Sequence, residues 1–445
     1  MNLRAVFTGV FLMLACAASA QPLPTQKKDV PLLDLKDAIE IALNNNFNIR
    51  LAKNNVSIAR NNVSPGMAGM TPLVTADGQY NKTIQDVNQI RADGSQQVVN
   101  RAGNTNYGYG ANLNWTLFDG LGMFANYNQL KQLLALGEVQ LRDTIQSTIA
   151  DVITTYYDLV SQNRQIKALE SAVDISRTQY RITSDKFSVG AASRLEVYNA
   201  QVNLNADTSL LLQQVEIFNT TRIALNQVLA RNVQTDFTVG DTIILDKELK
   251  LGDVLSSVQE NNTMLKSAQL NQRLAEINLR QVKSTRYPVI IGQSGYNWNY
   301  VRNPAGFARR SDSKGFTYGA TVSLPIFNGF VQNRIEKNAR LGIENSKLQA
   351  ERTKLGVDAQ VNSLFVSYLN SIQLSALETK NIEIARRNLS ISLEKFKIGN
   401  ITQLEIREAQ RNFLDAQSRF VNAQYQAKLT ETALREMMGN IQLDK

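Results

Sequence analysis

The sequence predicts a mainly α-helical protein with a β-barrel part, built from one helix-strand-strand-helix unit written twice. Three observations carry this reading. The stretches KFSVGAASRLEVYNAQ (186–201) and KFKIGNITQLEIREAQ (395–410) share seven identities, among them Gly190/Gly399, Leu195/Leu404, Glu196/Glu405 and Gln201/Gln410. All eight prolines lie at 22, 24, 31, 65, 72, 288, 304 and 325, leaving 119–186 and 328–395 free of them. Proline is expelled from helix interiors, so these spans can hold very long helices. Strictly alternating segments rich in aromatics precede each span, as strands with one apolar face do.

The elements follow in order. Residues 1–20 read as a secretory signal: Arg4, an apolar run from Val6 to Ala15, and Ala18-Ser19-Ala20 before Gln21. Cys16 raises the rival of a lipoprotein signal. The first repeat spans 21–230, with helices expected at 34–62, 119–186 and 193–229 and strands near 72–83 and 107–117. A short link, 231–248, leads to the second repeat, 249–445. Its helices are expected at 250–284, 328–395 and 402–437, its strands near 287–301 and 316–324. "LDLKDAIEIALNNN" opens the first repeat and "LKLGDVLSSVQENN" the second. The first repeat carries about seven extra residues, which fall within 82–106.

The long helices show apolar residues at heptad-like spacing: Ile145, Ile149, Val152, Tyr156 and Val160 in one; Val357, Val361, Leu364, Tyr368 and Ile372 in the other. That is the narrow seam of a coiled coil. Each strand before a long helix alternates. Tyr107, Tyr109, Ala111, Leu113, Trp115 and Leu117 share one face; Gly108, Gly110, Asn112, Asn114 and Thr116 share the other. Phe316, Tyr318, Ala320, Val322 and Leu324 repeat the pattern, as do Tyr296, Trp298 and Tyr300.

Composition removes most chemistry. There is no histidine, and Cys16 is the single cysteine, inside the signal. Ser-His and Cys-His nucleophiles and imidazole or thiolate metal sites are therefore excluded from the mature chain. No P-loop, Gly-rich dinucleotide motif or carboxylate pair is written, so the expectation is no enzyme, no cofactor and no metal. The formal net charge is +9, but both signs are scattered along helices. Such scatter fits a solvated surface better than a nucleic-acid footprint.

No run of 18 apolar residues follows the signal, so no transmembrane helix is expected. The exported chain is then periplasmic, extracellular or part of an outer-membrane barrel. Length arithmetic favours the last. At about 1.5 Å per residue the long helices reach roughly 100 Å, and the shorter helices laid end to end roughly match them. Four strands cannot close a membrane barrel, which needs at least about eight, and open edges are not tolerated in lipid. Several copies must share one barrel, continued by a tube of helices.

In that arrangement, and on the quoted repeats together with the joints "LFDGL" and "LPIFNGF", the chain resembles TolC-like outer-membrane efflux proteins over nearly its whole mature length. The resemblance implies a homotrimer with a 12-stranded outer-membrane barrel and a 12-helix periplasmic tunnel. It implies the exit duct of a tripartite efflux pump or type I secretion system, working with a periplasmic adaptor and, through it, an inner-membrane transporter. It implies docking of the adaptor at the repeated turns, at Val189, Gly190, Ala191, Ile398, Gly399 and Asn400. It implies a pore-entrance gate near Glu405, Glu408 and Glu196, with Glu405 and Glu408 in stacked carboxylate rings. Phe396 stands where the family pattern has a tyrosine, and Ile401 where it has an arginine; Arg194 and Arg407 are near enough to substitute. The rival reading is a periplasmic adaptor or coiled-coil scaffold. The stretches at about 83–106 and 301–315 are expected as outward loops. Their cations Lys82, Arg91, Arg101, Arg302, Arg309, Arg310 and Lys314 would meet anionic lipopolysaccharide or serve solubility.

Overall fold

Two helices of 67 residues, α3 (Gly122–Ser188) and α7 (Val331–Lys397), form the long axis of the computed structural model, which describes residues 31–441. The signal-like segment and Cys16 lie outside the described residues. Each long helix is about 100 Å. The other helices are α1 (Leu35–Asn45), α2 (Phe47–Asn62), α4 (Arg194–Val228), α5 (Leu251–Asn261), α6 (Thr263–Ser284) and α8 (Gln403–Met437). α4 runs beside one part of α3, with α1 and α2 beside the rest; α8, α5 and α6 do the same for α7. α6 and α8 also pack on α3, so the helices form four columns side by side.

The opening helices expected at 34–62 and 250–284 are each two helices. The breaks fall at Asn46 (φ −55°, ψ 128°) and Asn262 (φ −59°, ψ 127°). Each asparagine ends one helix and caps the next. Asn46 Oδ1 accepts from the Asn48 and Ile49 amides, and Asn262 Oδ1 from Leu265. Their amides donate to the ends of α4 and α8, Asn46 Nδ2 to Val228 O (2.8 Å) and Asn262 Nδ2 to Met437 O (2.9 Å). One side chain thus joins three helix ends, which lets the short helices stack into a column beside the long one.

The seam residues Val152, Tyr156, Val160, Val357, Val361 and Tyr368 are buried, while Ile145, Ile149, Leu364 and Ile372 are half-buried. Around the midpoint Val152, Tyr156 and Leu159 pack with Ile39, Leu225 and Phe237. The link 231–248 wraps this belt. Leu33 N–H donates to Thr238 O, and Tyr368 Oη donates to Asp246 O (2.5 Å). Burial and the neighbouring Asp246 and Glu431 carboxylates push the Tyr368 hydroxyl up to about 12. Asp246 also meets Arg435, which with Lys428 surrounds the buried Glu431.

Strands β1 (Leu73–Ile90), β2 (Gln96–Phe118), β3 (Val289–Arg302) and β4 (Arg310–Ser323) form one antiparallel sheet in the order β1-β2-β3-β4. The stretch expected as a loop at 83–106 is mostly strand. The extra residues of the first repeat lengthen its hairpin, giving strands of 18 and 23 residues against 14 and 14. Polar side chains that alternate without apolar contrast looked like a loop; cross-strand pairing such as Gln89 to Gln97 orders them. Likewise β4 starts at Arg310, leaving 303–309 as the second hairpin tip. The aromatic face is built across strands: Tyr107 stacks on Tyr300, with Trp298 against Tyr107 and Tyr109. On the opposite face Asn297 donates to Asn112, and Asn112 to Asp77. Among the described residues β1 and β4 each have a free edge.

Candidate functional site

Both repeated turns are built alike. Val189 caps the end of α3 and Ile398 that of α7, each followed by a glycine in the left-handed region, Gly190 (φ 76°) and Gly399 (φ 81°). Gly190 N–H donates to Phe187 O and Ala191 N–H to Lys186 O; Gly399 and Asn400 repeat this on Phe396 and Lys395. This paired closure satisfies the last helical carbonyls, and it needs a residue without a Cβ penalty at positive φ. It leaves the six tip residues Val189, Gly190, Ala191, Ile398, Gly399 and Asn400 exposed together with Leu195 and Leu404. Val189 is 78% and Ile398 71% exposed, an apolar presentation that helix closure alone does not require. Leu195 and Leu404 belong to the repeated identities, so sequence comparison alone could have added them.

The repeated glutamates have a local task. Glu405 is the third residue of α8 and forms a reciprocal capping box with Thr402. Thr402 N–H donates to Glu405 Oε2 (2.7 Å), and Glu405 N–H to Thr402 Oγ1 (3.3 Å). The Thr402 N–H and the Thr402 hydroxyl, which donates to the same Oε2 (2.9 Å), hold the Glu405 carboxyl below its ordinary value. In the first repeat Glu196 N–H donates to Ser193 Oγ (3.2 Å), and Ser193 Oγ to Glu196 Oε1 (3.1 Å). The pattern Ser/Thr-x-x-Glu was legible in both copies and explains why this glutamate is written twice. Glu408 lies one turn further along α8, exposed.

Phe396 is expected at the entrance, but it is 4% exposed. It packs with Leu389, Ile406 and Ala409, with Ile401 against the cluster and the Lys186 ammonium 5.5 Å from its ring. The apolar ring fills the α7–α8 seam. Arg194 lies over the Tyr198 ring (5.6 Å).

Arg407 reaches across to α4. Its Nη1 donates to both carboxylate oxygens of Asp207, at 2.9 and 2.7 Å. Asp207 is 0% exposed. Ser176 Oγ of α3 also donates to it, and Gln410 Nε2 of α8 donates to Asp207 Oδ2 (3.0 Å) and to Ala172 O (2.9 Å). Gln179 Nε2 reaches Gln410 Oε1 at 3.5 Å. One buried polar knot therefore ties α3, α4 and α8. Sequence reasoning assigned no role to Asp207, Ser176, Gln179 or Gln410; a lone acid in a polar helix gives no signal until its neighbours are known.

The matching family model, described as outer membrane efflux protein, covers residues 38–231 and 254–440, one match for each repeat. The chain belongs to the outer membrane efflux protein family. It is similar to the outer membrane protein TolC of Escherichia coli strain K12, 20% identical over 378 residues, covering 82% of this chain and 73% of that one. It is also similar to the solvent efflux pump outer membrane protein SrpC of Pseudomonas putida, 22% identical over 94% of this chain and 88% of the relative. Among solved structures, the CmeC outer membrane channel of Campylobacter jejuni superposes with a TM-score of 0.77 at 16% identity, over 91% of this chain and 85% of that one. Its family and relatives make this chain an outer-membrane efflux protein of TolC type.

Proposed function

We propose that three copies of this chain form the exit duct of a tripartite efflux pump or a type I secretion system, passive in itself and gated at the periplasmic tip. The observation that carries the reading is a set of free edges. The sheet ends in unpaired β1 and β4, which lipid does not tolerate. The helix layer ends in α7 on one flank and α2 with α4 on the other. α7 leaves Leu341, Leu348 and Leu355, then Leu377, Ile384 and Ile391, exposed seven residues apart; α2 and α4 leave Phe47, Leu51, Ile58, Val202 and Leu212 exposed. Two unlike flanks meeting head to tail generate a ring. Three copies supply twelve strands and twelve helical columns, and no edge remains.

The exposed Val189, Leu195, Ile398 and Leu404 fit the contact surface of a periplasmic adaptor, which links the duct to an inner-membrane transporter. Glu408, with Glu405 below it, lines the entrance and favours cations. Arg407 holds the inner helix α8 against α4 through Asp207, and opening requires α8 to swing away from it. A periplasmic scaffold would have no use for a strand such as β4, whose whole length is exposed.

The test is the native mass of the detergent-purified mature protein, followed by conductance in a planar bilayer. Three chains per particle and a steady conductance are expected. A monomer that stays soluble without detergent would overturn the duct.

A further inference from the structure

Three of the cations form an ordered row across the sheet, at the outer ends of β3 and β4 and midway along the longer β1 and β2. Pairing runs Lys82 to Thr105, Thr105 to Arg302 and Arg302 to Arg310. Residues paired directly across an antiparallel sheet share a face, so the row lies on one side. Two residues inward on every strand come Tyr80, Tyr107, Tyr300 and Asp312, then Gly78, Tyr109, Trp298 and Lys314. Side chains two apart on a strand share a face. The row of cations therefore sits on the aromatic, lipid-type face, about 7 Å beyond the tyrosines.

The height agrees with a membrane. Ten residues separate Val322 from Asp312 on this face of β4, about 34 Å along the strand. With the tilt of about 35–45° found in membrane barrels, that spans roughly 25 Å, the height of the apolar band. Inward of Lys314 this face of the four strands carries no charged residue. The cations thus stand beyond the aromatic girdle at the end that carries the hairpin tips, away from the helices, where outer-leaflet headgroups lie. Lys82 and Arg302 make no ion pair among the described residues; Arg310 lies 3.7 Å from the Asp312 carboxylate and 5.1 Å over the Tyr300 ring. Asp312 is the one acid in these rows and offsets part of the charge.

We infer that Lys82, Arg302 and Arg310, supported by Lys314, form a phosphate-binding row on the lipid-facing surface, and that its occupant is the phosphorylated headgroup of lipopolysaccharide. Guanidinium groups match phosphate oxygens in geometry, and the aromatic rows beneath give the acyl chains an amphipathic border. This rests on the membrane reading of the sheet. In the trimer the row recurs three times, so the duct carries a belt of bound lipid.

The test measures lipid retained by the purified protein after incorporation into phosphatidylcholine vesicles doped with lipopolysaccharide or with its dephosphorylated form. Native mass and bilayer conductance are recorded on the same preparation. The wild type should retain the phosphorylated lipid about tenfold better than the dephosphorylated one, with the difference shrinking at high salt. The variant K82Q/R302Q/R310Q should lose the preference; R302K/R310K, which keeps the charge, should hold most of it. Equal retention of the two lipids by the wild type, or full preference in the glutamine variant, would overturn the row. If the glutamine variant does not assemble, the wild-type comparison of the two lipids still decides. A trimer that conducts yet shows no preference defeats this inference alone; a soluble monomer defeats the duct as well.

Discussion

Replacing Arg407 with leucine removes the ion-pair partner of the buried Asp207 carboxylate. Asp207 is 0% exposed and Arg407 has 19% of its side chain in solvent, so the pair belongs to the buried class. Deleting one partner of such a pair costs about 3–5 kcal/mol, against about 1 kcal/mol or less for an exposed pair. Ser176 and Gln410 still donate to the carboxylate, which holds the figure to the lower part of that range. An unfolding entropy of about 2.1 cal/mol/K per residue gives roughly 0.9 kcal/mol/K for a chain of this length. The loss then reads as a fall of about 3–4 °C in the thermal midpoint of the detergent-purified protein, followed by helical circular dichroism. Asp207→Leu/Arg407→Leu should fall less than the sum of the single variants, with a coupling of about 1–3 kcal/mol. In a planar bilayer the Arg407→Leu channel should also open more readily. A midpoint shift under 1 °C, or a double variant that falls by the full sum, would refute the claim that this knot holds α8 to α4.

Other outcomes follow from the same geometry. Asn262→Ala removes the cap of α6 and the tie to Met437 O, and should destabilise by about 2 kcal/mol, or roughly 2 °C; Asn262→Asp, which keeps the cap but not the tie, should fall between. Glu405→Gln keeps its capping box with Thr402, because glutamine serves at this position, whereas Glu405→Ala loses it. The pair Glu405→Gln with Glu408→Gln should lower cation selectivity in bilayer recordings, and unchanged reversal potentials would remove both carboxylates from the entrance. Burial and the facing Asp151 and Asp143 carboxylates push the Glu436 carboxyl up from its ordinary value of 4.5. A raised acid stabilises the fold below its unfolded value, and that contribution is lost as pH rises through the folded value. Glu436→Gln should therefore raise the thermal midpoint at pH 7.5 and flatten the gain that the wild type shows as pH falls toward 5.

The architecture was legible to the extent that it is local. Proline placement, heptad spacing and aromatic alternation each act through neighbouring residues, and they located α3, α7 and the cores of all four strands. The two turns were legible because glycine at positive φ is a local demand. The splits at Asn46 and Asn262 were missed because an asparagine within a helical pattern shows its meaning only when the ends of α4 and α8 arrive beside it. The outer half of the first hairpin was missed because polar strands carry no hydrophobic period.

At the candidate site the division is sharper. The sequence by itself determined the duplication, the glycine turns and the absence of histidine, all properties of residue identity and order. Only the tertiary structure decided that Phe396 is core and that Arg407 meets Asp207 from 200 residues away. A charge 200 residues distant has no local trace, because the interaction depends on how α3, α4 and α8 pack. Packing likewise drew Lys82, Arg302 and Arg310 out of seven scattered cations into one row, since strand register alone sets which of them share a face.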